Sequence, residues 1–205
     1  MLIDEINKLK KSEIRKVIDG RVKEFMSIGR SGIERIFSEL CFCILTANYS
    51  ASGGIKIQKA VGSGFLTMNA NELEEKLRQH GHRFPRTRAL YIVEARKKIS
   101  ELEASLKSLD GEELRDWIVG NIKGIGMKEA SHFLRNIGRL DYAIIDFHII
   151  DLLVREKIIK RPKTLTKKRY VEIESELRKI ANKTGLRLGE LDLYLWYMET
   201  GKVLK

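Results

Sequence analysis

The chain has 205 residues, 43% apolar and 33% charged, with 39 lysines and arginines against 28 acids and a formal net charge of +11. Two cysteines rule out a disulfide framework and a four-cysteine iron–sulfur cluster, and no apolar run is long enough for a membrane-spanning helix. The size allows one substantial core or two small lobes, and the excess of base suits a polyanionic partner such as nucleic acid.

Apolar residues recur at spacings of three and four along most of the sequence, strand patterns are weak, and the only prolines are Pro85 and Pro162. The pattern predicts helices over 2–19, 31–48, 53–61, 70–79, 84–99, 111–121, 127–137, 146–156, 166–183 and 188–200, with glycines in many of the gaps. The opening MLIDEINKLKKSEIRK is an amphipathic helix carrying acids rather than a signal peptide. A soluble, cytoplasmic protein of a reducing compartment is expected. Cys41 and Cys43 in ELCFCILTAN read as small core residues. NANELEEKL places asparagine before an acidic first turn, a helix N-cap pattern. His80 and His82 are the only close histidine pair, too little for a metal site. The class is all-α, with about ten helices and short connections.

The stretch NIKGIGMKEASHFLRNIG, 121–138, breaks helical patterning at Gly124-Ile125-Gly126 and resumes it with Lys128 in the first turn. Glycines turn the backbone sharply because they reach positive φ at little cost. The N–H groups at the start of the next helix lack intrahelical partners and, with the helix dipole, can bind an anion such as phosphate. An ordinary helix–turn–helix corner has the same outline. The next unusual residue is Asp146 in YAIIDFHIIDLL, 18 residues after Lys128. It follows an apolar run and precedes an apolar helix, where aspartate also serves as an N-cap. One helix and one loop separate the two, a spacing that can bring a lysine and a carboxylate to one cleft.

IKGIGMKEA followed by AIIDFHI resembles the helix–hairpin–helix base-excision DNA glycosylases, whose pattern is Gly-apolar-Gly-x-Lys with an aspartate about 18 residues on. LCFCILTANYSASGGIKIQKAVG and GHRFPRTRALYIVEAR resemble earlier segments of that family. The ending LDLYLWYMETGKVLK is similar to the archaeal-type branch of 8-oxoguanine DNA glycosylase/DNA lyases. The resemblance covers nearly the whole chain. It implies a single glycosylase unit over 1–205 with two helical lobes around a DNA-binding cleft and the hairpin motif at about 113–137. Its expected partner is double-stranded DNA containing oxidised guanine, engaged by a monomer with no membrane association. The iron–sulfur cluster of some relatives cannot form here; a monovalent cation on the hairpin carbonyls is allowed.

The same resemblance assigns roles. Lys128 is the expected nucleophile, attacking the sugar C1′, expelling the base and forming a Schiff base that permits β-elimination. A free lysine has a pKa of about 10.4, so its site is expected to favour the neutral amine. Asp146 is expected to stabilise the oxocarbenium-like charge and assist deprotonation. Gly124, Ile125 and Gly126 are expected to hold DNA phosphates without reading sequence. A flipped base needs flat faces; Phe84 and Trp196 are the candidates, though core packing accounts for either. Asn48 matches the position where relatives fill the gap left by the flipped base, and an ordinary helix C-cap is its rival reading. Arg83, Arg86 and Arg88 are candidate phosphate contacts. Lys205 ends the chain with a carboxylate able to accept from N7–H, which 8-oxoguanine has and guanine lacks; the alternative is a frayed terminus. The expected activity is excision of 8-oxoguanine with strand nicking. The alternatives are a glycosylase for oxidised pyrimidines and a non-catalytic DNA-binding hairpin module.

Overall fold

The computed structural model describes residues 1–205, and every regular element in it is helical. The helices are α1 (Leu2–Leu9), α2 (Ile14–Gly29), α3 (Ile33–Thr46), α4 (Ala51–Val61), α5 (Gly64–Thr67), α6 (Ala70–Gln79), α7 (Pro85–Arg96), α8 (Ile99–Ser108), α9 (Gly111–Asn121), α10 (Met127–Asn136), α11 (Phe147–Arg155), α12 (Lys167–Thr184) and α13 (Leu188–Thr200). None is long and apolar enough to cross a membrane. They form two compact units, one of Ile28–Phe133 and one of Met1–Ser27 with Leu134–Lys205, so the chain changes unit within α2 and again within α10.

The unit of residues 28–133 is built on α3. Residues 39–46 of α3 are all buried, because ELCFCILT is apolar on nearly every face. α4, α5, α7 and α8 pack on α3, and α6 lies along α7. Cys41 and Cys43 are core residues, as expected, and burial pushes the Cys41 thiol well above its usual range. The one acid in the run, Glu39, accepts from Gln58 Nε2 at 3.0 Å. Asn69 is the N-cap of α6, as its sequence implied, and it also closes a capping box, its side chain accepting from Asn71 and Glu72 while Glu72 accepts from the Asn69 N–H.

In the other unit, α13 packs on α1, α11 and α12. Ile18, Phe25, Leu140, Leu193 and Tyr194 form a core cluster, and Val203 from the C-terminal tail packs against it. Beside this cluster Arg135 pairs with Asp192 at 2.9 Å, with side chains 3% and 11% exposed. The Arg135 guanidinium also lies 4.8 Å from the centre of the Phe25 ring. Burial pushes the Asp192 carboxyl up to about 6; Arg135 pulls it down and Asp146 pushes it up.

The structure differs from the expected helices in three places. Residues 2–19 are not one helix: the chain breaks after Leu9 and restarts at Ile14, running on to Gly29. Ser12 Oγ donates to the Leu9 carbonyl at 2.8 Å, a side-chain bond that competes with the helix ladder, and Lys10 donates to the Thr184 carbonyl. The break lets Leu2 and Ile6 of α1 and Ile18 and Phe25 of α2 all reach the core. The expected helix 84–99 ends at Arg96, and α8 follows where only a connection was expected. Arg96 donates to the carbonyls of Phe65 and Met68 at 2.8 Å each, a tertiary contact with no local pattern. α5 is too short for periodicity to reveal.

Gly138, two residues after α10, has φ +82°, and an added Cβ would lie 2.9 Å from the Met26 Cα. Both the left-handed backbone and the neighbouring main chain exclude a side chain. Gly138→Ala is expected to lower stability by about 1–3 kcal/mol, read as a lower urea midpoint.

Candidate active site

The hairpin is α9, the turn of residues 122–126, and α10. Gly124 takes φ +81°, and a Cβ there would meet the Tyr91 ring at 2.4 Å, so the first glycine is required both by the turn and by its neighbour. Gly126 has no positive φ, a departure from the expectation that both glycines make the turn through left-handed backbone. Ile125 is buried and its N–H points to the Ile122 carbonyl at 3.4 Å. Gly126 N–H donates to Glu129 Oε2 at 3.3 Å, while Glu129 Oε1 pairs with Lys128 Nζ at 3.2 Å. A carboxylate of the chain thus already occupies one of the N–H groups expected to meet phosphate. The carbonyls of Lys123, Gly124 and Ile125 accept no hydrogen bond within the chain.

Lys128 lies in the first turn of α10, half-buried. In the same unit, Asn48 follows the end of α3 with φ +59°, exposed, its side chain making no hydrogen bond within the chain. The C-cap of α3 is Ala47, in extended backbone, and no bond from the Asn48 N–H closes the helix, so Asn48 is not the ordinary C-cap that its rival reading expected. Phe84 is 39% exposed, precedes Pro85 at the start of α7, and has the Arg83 guanidinium 5.1 Å from its ring centre. Arg83 and Arg86 are exposed. Arg88 is only 7% exposed and donates to the Ala47 carbonyl at 2.6 Å, which removes it from the solvated basic face. Burial pulls its guanidinium below the usual range, opposed by Tyr91 and Glu129.

Asp146 belongs to the other unit, where it is the N-cap of α11. Its Oδ1 accepts from Ile149 N–H at 3.0 Å, and no bond within the chain engages Oδ2. The preceding residues, Tyr142 to Ile145, are buried and lie outside any helix, so their backbone needs partners. α12 supplies them: Glu174 accepts from Ala143 N–H at 2.9 Å, and the Tyr170 hydroxyl accepts from Ile145 N–H at 3.2 Å and donates to the Ala143 carbonyl at 2.7 Å. Sequence reasoning missed both supports, since one tyrosine and one glutamate on a charged helix carry no local sign of this work.

The same unit holds Trp196 and Lys205. Trp196 is half-buried, its Nε1 is shielded without a hydrogen-bond partner, and the His148 ring meets it edge-on at 5.2 Å. His148 in turn stacks on Phe147 at 4.0 Å, and Phe147 is 64% exposed although apolar. These two residues were also missed; an apolar side chain beside the N-cap of a helix was the available signal. Gly201, at φ +69°, turns the chain out of α13. Val203 then packs on the core and Lys205 is half-buried, so the tail is tied down rather than frayed. No group of three or more histidine, cysteine, aspartate or glutamate side chains is arranged to hold a metal ion.

Comparison with known proteins identifies the family. The family model described as 8-oxoguanine DNA glycosylase matches residues 18–186. The 8-oxoguanine DNA glycosylase/AP lyase of Methanocaldococcus jannaschii is 54% identical over 207 residues, covering 100% of both chains. That of Korarchaeum cryptofilum is 51% identical over 206 residues, covering 100% of this chain and 98% of its own. The crystal structure of the M. jannaschii glycosylase/lyase in complex with a 15mer DNA containing 8-oxoguanine superposes with TM-score 0.96 at 53% identity over 100% of both chains. An endonuclease III–DNA complex, at 18% identity and TM-score 0.58, shares the fold. With a family model spanning most of its length and relatives identical at about half of all positions, this chain belongs to the 8-oxoguanine DNA glycosylase family.

Proposed function

We propose that this protein is a bifunctional DNA repair enzyme that excises 8-oxoguanine and then nicks the strand at the abasic site. The observation that carries the reading is the pair of helix starts: Lys128 in the first turn after the Gly124–Gly126 hairpin, and Asp146 capping α11 through one oxygen only. The unengaged Oδ2 is a fixed negative charge available to the oxocarbenium-like sugar, where charge develops in the transition state. Once it has given up a proton, the Lys128 amine attacks C1′ as the N-glycosidic bond breaks, and the departing base takes a second proton from the attacking nitrogen. The sugar ring opens to a Schiff base, which acidifies the C2′ proton; its removal breaks the C3′–O bond and nicks the strand.

The hairpin would hold the DNA backbone, a phosphate oxygen replacing the Glu129 carboxylate on Gly126 N–H. Arg83 and Arg86 supply exposed charge for flanking phosphates. The carbonyls of Lys123, Gly124 and Ile125 form a donor set suited to a monovalent cation, a hard ion that takes oxygen ligands. Phe84 and Trp196 would offer the flat faces for the flipped base, with Asn48 filling the gap it leaves. The Lys205 carboxylate would accept from N7–H of 8-oxoguanine and be left unpaired by guanine. An enzyme with this substrate works on the chromosome, in the cytoplasm.

Four variants have expected outcomes. Lys128→Gln should retain lesion binding but lose borohydride trapping and nicking; trapping at the wild-type level would remove Lys128 as nucleophile and point to another amine, whereas a wild type that binds lesion DNA without trapping would favour a module that only binds DNA. Asp146→Asn should keep the N-cap, since asparagine caps about as well, yet slow single-turnover base release about 10²-fold or more. Asp146→Ala should lose the same rate and also about 1 kcal/mol of stability, so thermal melts and kinetics on both variants separate cap from charge. Deleting Val203–Lys205 should impair 8-oxoguanine excision more than nicking of a preformed abasic site; equal loss on both substrates would place the tail outside base recognition. A duplex panel with oxidised pyrimidines in place of 8-oxoguanine tests the lesion class.

A further inference from the structure

The segment that carries Phe84 is fastened to the end of α3 by one side chain. His82 is 5% exposed, and its two ring nitrogens both have partners. Nδ1 accepts from Phe84 N–H at 3.0 Å, and Nε2 lies 2.9 Å from the Leu45 carbonyl. Because Nδ1 is the acceptor, Nε2 carries the hydrogen and donates. Only the neutral imidazole with that tautomer satisfies both contacts at once. Burial holds the ring below its usual pKa, with the Arg88 charge acting in the same direction and the Leu45 carbonyl opposing. The Tyr49 ring covers the imidazole at 4.3 Å, and the Tyr49 hydroxyl donates to the Gly81 carbonyl at 3.3 Å.

The Leu45 carbonyl is one of the last in α3, a group the helix leaves without an intrahelical partner. Two residues on, the Ala47 carbonyl is taken by Arg88 of α7 at 2.6 Å. The left-handed Asn48 follows directly. His82 and Arg88 therefore terminate α3 from the Phe84 side, and Asn48 and Phe84 are held in one rigid piece through two carbonyls and one N–H.

We infer that His82 is a positioning residue: it locks the Phe84 backbone to the end of α3 so that the base-holding ring and the gap-filling asparagine keep a fixed relation when a lesion is engaged. This rests on the proposed role of Phe84 in holding the base. His82 itself touches neither substrate nor reacting atoms; it acts through the Phe84 N–H. Losing one buried bond at a site that must hold its geometry is expected to lower excision by about tenfold.

The test compares wild type with His82→Phe, Phe84→Ala, the double variant and His82→Asn. Each is measured by single-turnover excision of 8-oxoguanine and by nicking of a preformed abasic site, which holds no base. Expected are a fall of about tenfold in the ratio of excision to nicking for His82→Phe, and a comparable or larger fall for Phe84→Ala. Adding His82→Phe to Phe84→Ala should change that ratio little, because both act on one ring. His82→Asn keeps an acceptor near the Phe84 N–H and should recover most of the ratio; it also carries the comparison if His82→Phe does not fold. A normal ratio in both His82 variants with a lowered one in Phe84→Ala overturns the lock. Equal losses on both substrates reduce His82 to general stability and also overturn it. A normal ratio in Phe84→Ala sinks the pocket reading itself, and the lock with it.

Discussion

The first turn of an α-helix leaves N–H groups that the helix cannot satisfy, and both candidate catalytic groups sit at such a turn. Lys128 begins α10, where the Glu129 carboxylate already answers the Gly126 N–H. Asp146 begins α11 and answers the Ile149 N–H itself. A carboxylate at an N-cap is fixed in direction and favoured by the helix dipole. The capping bond uses one oxygen of Asp146 and leaves the second without a partner in the chain. At the hairpin the Glu129 carboxylate meets both the Gly126 N–H and the Lys128 ammonium, so charge there is balanced within the chain.

Fixing these helix starts places demands further away. The buried residues before Asp146 have no strand partner, and side chains of α12 stand in for one: Glu174 and Tyr170 satisfy Ala143 and Ile145. At the other end of a helix the same problem is solved by His82 and Arg88, which take the carbonyls that α3 cannot use. In both places a polar side chain is buried because backbone would otherwise be buried unpaired, the costlier arrangement. The Arg135–Asp192 pair is of a different kind. It is an ion pair whose carboxyl is raised by burial despite its partner, so desolvation outweighs attraction there.

Much of the fold was legible in the sequence. Helices 70–79, 111–121 and 188–200 have the expected bounds, because each combines apolar periodicity with a local start or stop. The hairpin and the spacing from Lys128 to Asp146 were legible too, since Gly-x-Gly-x-Lys concentrates turn geometry and chemistry in a few adjacent residues. The break between α1 and α2 and the existence of α8 were not. Ser12 and Lys97–Lys98 are unremarkable in sequence, and what ends those helices is a set of contacts to Thr184, Phe65 and Met68 far along the chain.

The candidate site divides along the same line. The sequence by itself singled out the candidates, Lys128, Asp146, the Gly124–Gly126 turn, Phe84, Trp196 and Lys205, because residue type and spacing are one-dimensional properties. Tertiary structure alone decided that Arg88 is buried against the Ala47 carbonyl, that Glu129 occupies the hairpin N–H, that Val203 of the C-terminal tail packs on the core, and that Glu174, Tyr170 and His82 bond the backbone of Ala143, Ile145 and Phe84. Those assignments turn on which buried backbone groups lack partners, and that is settled only when helices distant in sequence have packed together.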